Sequence, residues 1–260
     1  MRNRAWVSVA KYTFLEGVRA RFFIGVLAVG VALVLLAAVL GVVPYGKTDQ
    51  LITRIGWGAI LLTGLTLSIL DTIQHLAGEY KAKTLHLMLS KPISRPAYAW
   101  GKAAGICLLV ISSIAIEGAL LIGALAYYAQ EAHNYLFEWF VPVVYISLKC
   151  IVLIAFSGVF ATLFSPLVAA FAAVTFFLVG AGSEDLYRMA LQSEMPVFIA
   201  FGAFLRWLAP QFSVFDIEGW VAFGIEALPS VYWHAAGYYA GYFVIGVLFW
   251  QAALALRELE

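Results

Sequence analysis

Residues 22–43 read FFIGVLAVGVALVLLAAVLGVV, a stretch with no charge, proline or amide side chain. At about 1.5 Å of helical rise per residue it reaches about 33 Å, enough to cross the roughly 30 Å hydrocarbon core of a bilayer. It is too long for a signal-peptide core, so it is expected to stay in the membrane. Working outward, apolar runs bounded by charge or proline recur near 55–76, 103–128, 141–164, 166–182 and 231–256. Six spans would occupy nearly all of the 260 residues. The expected fold is therefore an all-α membrane protein, one transmembrane domain over residues 1–260, with both termini on the same side. The run 166–182 is the shortest and reaches across only marginally, so it reads either as a full span or as a re-entrant or broken helix.

Composition supports this reading. With 63% hydrophobic and 12% charged residues and a mean hydropathy of +0.92, the chain has too few charges to cover a water-soluble surface. A net charge of +1 predicts no nucleic-acid partner. Cys107 and Cys150 fall inside apolar runs without the paired spacing of a metal knuckle or redox motif, and read as small core residues. His75, His86, His133, His234, Met189 and Met195 form no His-x-His or Met-x-x-Met pattern, so no metal site is expected. No nucleophile carries a catalytic motif, so no catalytic residue and no enzyme activity of the chain's own is expected.

Positive residues are retained on the cytoplasmic side of a membrane, which sets the expected orientation. Arg2, Arg4, Lys11, Arg19 and Arg21 precede the first span, Lys81, Lys83, Lys91, Arg95 and Lys102 lie between the second and third, and Arg257 follows the sixth. The opposite side carries Lys47, Arg54, Arg188 and Arg206, and collects Glu184, Asp185, Glu194, Asp216, Glu218 and Glu226. A multi-pass protein of the cytoplasmic (inner) membrane with both termini in the cytoplasm is expected. In residues 1–21, Trp6, Ala10, Phe14 and Val18 recur every four residues, while Arg4, Ser8, Lys11 and Arg19 occupy another face. This pattern predicts a helix lying in the cytoplasmic interface against membrane lipid, the alternative being a simple extension of the first span. Between Ser183 and Ser230, acids mix with Phe198, Phe201, Phe204, Trp207, Phe212, Phe215, Trp220 and Phe223. This outer segment is expected to be re-entrant or interfacial, built of short helices broken at Pro210 and Pro229. It reads equally as a lid or docking surface for an extracytoplasmic protein and as a packed connector.

The loop after the second span carries more pattern than a connector needs. Residues 79–102 read EYKAKTLHLMLSKPISRPAYAWGK. Leu85, Met88 and Leu89 recur at helical spacing over 79–90, and Pro92 ends the helix by removing a backbone donor. Glu79, Thr84, Leu89, Ser90, Pro92, Ile93, Ser94, Arg95, Tyr98, Gly101 and Lys102 together resemble the motif of the membrane permease of type-2 ATP-binding-cassette (ABC) exporters, of the kind linked with multicopper-enzyme maturation. The resemblance takes in the amphipathic start and the six-span plan and is most specific through span four. The ending, Leu256-Arg-Glu-Leu-Glu260, departs from the family's aromatic and basic one. The resemblance implies a permease that pairs with a second permease copy, in a homodimer or with a related chain. It also implies binding to a dimer of separate ATPase subunits through a cytoplasmic coupling helix, with Glu79, Thr84, Leu85, Leu89, Pro92 and Arg95 as the coupling residues. The resemblance also implies that ATP and Mg are held by the ATPase, so no cofactor is expected on this chain.

Ionisable residues within spans cost roughly 2.5–3.5 kcal/mol on insertion scales and require a reason. Asp71 lies near the cytoplasmic end of its span and reads as an interfacial residue. Glu117 lies about 21 Å from the cytoplasmic start of span three, and Lys149 about 12 Å from the outer start of span four. These depths nearly coincide, which predicts a Glu117–Lys149 ion pair between neighbouring helices. The function expected from the whole is ATP-driven export across the cytoplasmic membrane. The alternative is an ATPase-coupled subunit that transmits force to an extracytoplasmic partner without carrying a substrate. The fold does not specify cargo.

Overall fold

A computed structural model describes residues 5–40, 48–81, 94–128, 136–193, 195–213, 216 and 229–257. Regular structure among them is helical: α1 (Ala5–Arg19), α2 (Arg21–Leu40), α3 (Thr48–Thr66), a π-helical turn (Leu67–Asp71), α4 (Thr72–Lys81), α5 (Arg95–Tyr128), α6 (Leu136–Leu163), α7 (Pro166–Gln192), α8 (Pro196–Leu208) and α9 (Pro229–Arg257). Six stretches are long and apolar enough to cross a membrane: Arg21–Leu40, Ile52–Glu79, Arg95–Tyr127, Phe140–Leu163, Pro166–Gln192 and Ser230–Leu256. The chain is a multi-pass helical membrane protein in which α3, the π-turn and α4 form one continuous rod.

The bundle buries one apolar face of each helix and leaves the other to lipid. One core gathers Val34, Ile60, Ile106, Ile114, Ile146 and Cys150 from α2, α3, α5 and α6. Another joins Ile73 and Leu76 on α4 to Ala155, Ala173 and Trp250 on α6, α7 and α9. Leu36, Val39, Phe171, Leu178 and Phe249 remain exposed, as expected where hydrocarbon replaces water as the solvent.

The second rod is irregular where hydroxyls compete for its carbonyls. Thr63, Ser68 and Thr72 donate to the carbonyls of Ala59, Gly64 and Ser68 at 3.0, 2.6 and 2.7 Å. Such back-bonding loosens the regular ladder, and the π-turn falls between these residues. The widened turn carries Asp71.

Several expected boundaries shift. The fifth helix does not stop at Gly182 but runs unbroken from Pro166 to Gln192, about 40 Å of rise. Glu184, which reads as a terminator in sequence, is held on the helix by Arg188 one turn on, 3.1 Å away. Pro229 opens a helix, at the position where its missing N–H costs nothing. Glu79 lies inside α4, at the end of the second rod, rather than at the start of a separate helix. Thr84, Leu85, Leu89 and Pro92 lie outside the described residues.

α1 is helical, and one of its faces packs on protein. Its buried residues are Ala10, Thr13 and Gly17, while Trp6 and Val18 are exposed. It runs parallel to the first turns of α5, and the approach is close enough to require glycine. A Cβ on Gly101 would come within 2.6 Å of the Trp6 carbonyl oxygen, and one on Gly105 within 2.7 Å of both the Ala10 carbonyl oxygen and Thr13 Cβ. The small residues Ala10, Thr13 and Gly17 make the close approach, and Phe14 of the predicted stripe packs partly buried against the core.

Candidate functional site

On the side of the bundle that carries α1, three elements converge on one buried polar cluster. Lys102 lies two turns into α5 with its side chain 1% exposed, and its Nζ sits 2.6 Å from Glu79 Oε1 on α4. Tyr98, one turn earlier on α5, donates its hydroxyl to Glu79 Oε2. Both carboxylate oxygens of Glu79 are thus bound by α5, and the side chain is 13% exposed. The acid fastens together the two ends of the segment 82–93.

The cluster extends towards α1 and the π-turn. His75 Nε2 lies 3.5 Å from Asp71 Oδ2, and His75 Nδ1 lies 4.0 Å from Glu16 Oε2. The Lys102 ammonium acts electrostatically on both Asp71 and His75. Asp71 is therefore not an interfacial residue facing headgroups; it is 2% exposed. The π-turn places it in the bundle, and α1 covers the cluster from outside through Gly17, whose Cβ would meet Leu109 and the His75 ring. Glu16, at 48% side-chain exposure, forms the water-facing end of the row.

The structure does not give Glu117 and Lys149 to each other in the expected way. Glu117 is fully buried, and neither of its carboxylate oxygens has a hydrogen-bond partner among the described residues. It points between α2 and α3, where a Cβ on Gly30 would lie 2.7 Å from its Cδ and 2.6 Å from Thr63 Oγ1. Lys149 Nζ lies 3.5 Å from Asp216 Oδ1 in the connector before α9. Depth in a span fixes height but not the face of the helix, and these two side chains occupy different faces.

Of the expected coupling residues, Glu79 and Arg95 are described: Glu79 at the cluster and Arg95 exposed at the first turn of α5. Sequence reasoning missed Asp216 as the partner of Lys149, and it missed Glu16 and His75 at the cluster. Signals for part of this were present. Asp71 and His75, and likewise Tyr98 and Lys102, stand four apart and so share a helix face.

No family model matches the chain, and no curated protein matches it. Among the described residues, no group of three or more His, Cys, Asp and Glu is arranged to hold a metal ion. The cluster is an electrostatic joint between helices. Chemically it can hold three elements in one relative position and let a push on one reach the others.

Proposed function

We propose that this chain is the permease subunit of a type-2 ABC exporter, coupling ATP hydrolysis by a separate ATPase dimer to export across the cytoplasmic membrane. The single observation that supports it best is the meeting of Glu79, Tyr98 and Lys102. These are three of the positions that carry the sequence resemblance, and they brace both ends of the segment expected to dock on the ATPase. A displacement of residues 82–93 then acts on α4 and α5 as a unit, instead of being absorbed by fraying at either end. The α1 helix is carried along through its glycine-lined contact with α5. In this reading Glu79 positions the coupling segment, and the ATPase meets Thr84, Leu85, Leu89, Pro92 and Arg95. A second permease copy completes the pathway, and ATP and Mg are held by the ATPase. In this reading the termini and the joint face the cytoplasm, which the excess of positive residues on that side supports.

The test is co-purification of the chain with candidate ATPase subunits from membranes, followed by ATPase assay of the complex in lipid. The expected result is a stable complex whose hydrolysis is stimulated by the wild-type permease and uncoupled by Glu79→Arg. Failure of every ATPase to co-purify overturns the reading and leaves the multi-pass fold intact.

A further inference from the structure

We infer that Glu117 is a proton-binding site inside the membrane and that α2 closes over it, so that seating α2 against α3 and α5 takes up one proton at this carboxyl. It does not depend on any ATPase. Along α5, Glu117 follows Lys102 by about 22 Å of rise and precedes Tyr128, the last residue of the helix, by about 16 Å, which places it within the roughly 30 Å hydrocarbon core.

The side chain is fully buried, and both carboxyl oxygens lack a hydrogen-bond partner among the described residues. An ionised carboxylate there would need a cation, and the packed elements bring none to it. Residues 22–40 of α2 contain no ionisable side chain. Along α3 and the π-turn none stands between Arg54 and Asp71, which lie about 14 Å and 12 Å of rise to either side of Thr63. On α5 itself Lys102 is taken by Glu79, and on α6 Lys149 is taken by Asp216. Tyr145 of α6 gives its hydroxyl to the Tyr232 carbonyl, and the buried thiols Cys107 and Cys150 supply no positive charge.

Thr63 decides which form of the acid fits. Its Oγ1 and the Glu117 carboxyl carbon lie 2.6 and 2.7 Å from the same point, the Cβ that Gly30 lacks. The Thr63 hydroxyl donates its proton to the Ala59 carbonyl at 3.0 Å, so towards the acid it offers lone pairs. A carboxylate would oppose those lone pairs in hydrocarbon without compensation. A carboxylic acid carries the O–H that they can accept.

The cover over the site is held by packing alone. The buried residues of α2 are Phe23, Gly30, Val34 and Ala37, and Gly30 is the one that stands over the acid. No side chain between 22 and 40 can hydrogen-bond to α3 or α5, so moving α2 outward breaks no such bond. With water in the opened gap the O–H bond of Glu117 can break, the electron pair staying on the carboxylate and the proton leaving to water. An open glutamate ionises above about pH 4.3, so the ratio of seated to open α2 falls about tenfold for each pH unit beyond that value. The proton is thus a ligand of the seated state.

The experiment records infrared spectra of the full-length chain in liposomes at neutral pH and subtracts Glu117→Gln from wild type. The expected difference contains the C=O stretch of a carboxylic acid that the variant lacks. A carboxylate band in its place overturns the proton-binding site. Closure by α2 is read from Gly30→Leu and, on the same helix, Gly25→Leu, where an added Cβ meets nothing within 4 Å. Gly30→Leu should exchange the acid band for a carboxylate band, and Gly25→Leu should keep the acid. An acid band that survives Gly30→Leu overturns the role of α2. Where Gly30→Leu does not fold, wild type transferred to heavy water decides the same point. A covered acid moves to its O–D frequency only as α2 opens, and a shift already complete on mixing overturns the closure.

Discussion

Lys102 Nζ and Glu79 Oε1 are 2.6 Å apart across a loop that separates them by twenty-three positions, and the lysine is sealed from solvent. A buried charge whose partner is removed costs about 3–5 kcal/mol, whereas replacing both partners by apolar groups of similar volume is often close to neutral. Glu79→Leu should therefore lower the thermal unfolding midpoint of the purified chain clearly, and Glu79→Leu with Lys102→Met should recover most of it. An ATPase-stimulation assay separates the roles: the double variant should stay stable yet couple poorly, because the charged brace has gone. Equal midpoints for wild type and Glu79→Leu would remove the joint from consideration.

The six-span plan was legible because hydrocarbon imposes long uncharged helices, and residues such as those of 22–43 admit no other reading. The joint was half legible. The motif singled out Glu79, but sequence spacing relates residues on one helix, and the Glu79–Lys102 contact depends on how two helices pack. The error at Gly182 has the same origin. Charge at Glu184 signals a helix end only if it must face water, and Arg188 and Arg206 give it partners instead. The Glu117–Lys149 expectation failed because rise per residue fixes depth and leaves rotation about the axis open.

The contact between α1 and α5 makes a sharper test of packing. A side chain added at Gly105 would have to displace the backbone of Ala10 as well as Thr13, and backbone cannot rotate away. Overpacking of this kind costs about 1–3 kcal/mol. Gly105→Val should release α1, seen as faster proteolysis after Arg19, while Gly123→Val, where an added Cβ meets nothing within 4 Å, should leave the digest unchanged.

Gly30 and Glu117 should be energetically coupled. Gly30→Ala places a methyl group against the Glu117 carboxyl carbon and the Thr63 hydroxyl, and should lower stability. Glu117→Ala removes one of those obstacles. The double variant should be more stable than the sum of the two single effects by about 0.5 kcal/mol or more, the usual coupling between residues in contact. Additive effects in a thermal-shift cycle would mean that the glycine and the acid are not neighbours.

Two charge-swap experiments distinguish the two partners considered for Lys149. Lys149→Glu places an acid beside Asp216 and should destabilise the connector by about 1–3 kcal/mol, less than the Glu79 effect because Asp216 is half exposed and screened. Adding Asp216→Lys restores an opposite pair at the same site and should recover the loss. Adding Glu117→Lys should not, since that side chain faces Gly30 and Thr63 and would place a second buried charge without a partner. Unfolding midpoints of the two double variants, measured in the same lipid, decide between the partners. Rescue by Glu117→Lys would return Lys149 to the partner that depth alone suggested, and rescue by Asp216→Lys ties the connector to α6 through the contact at Lys149.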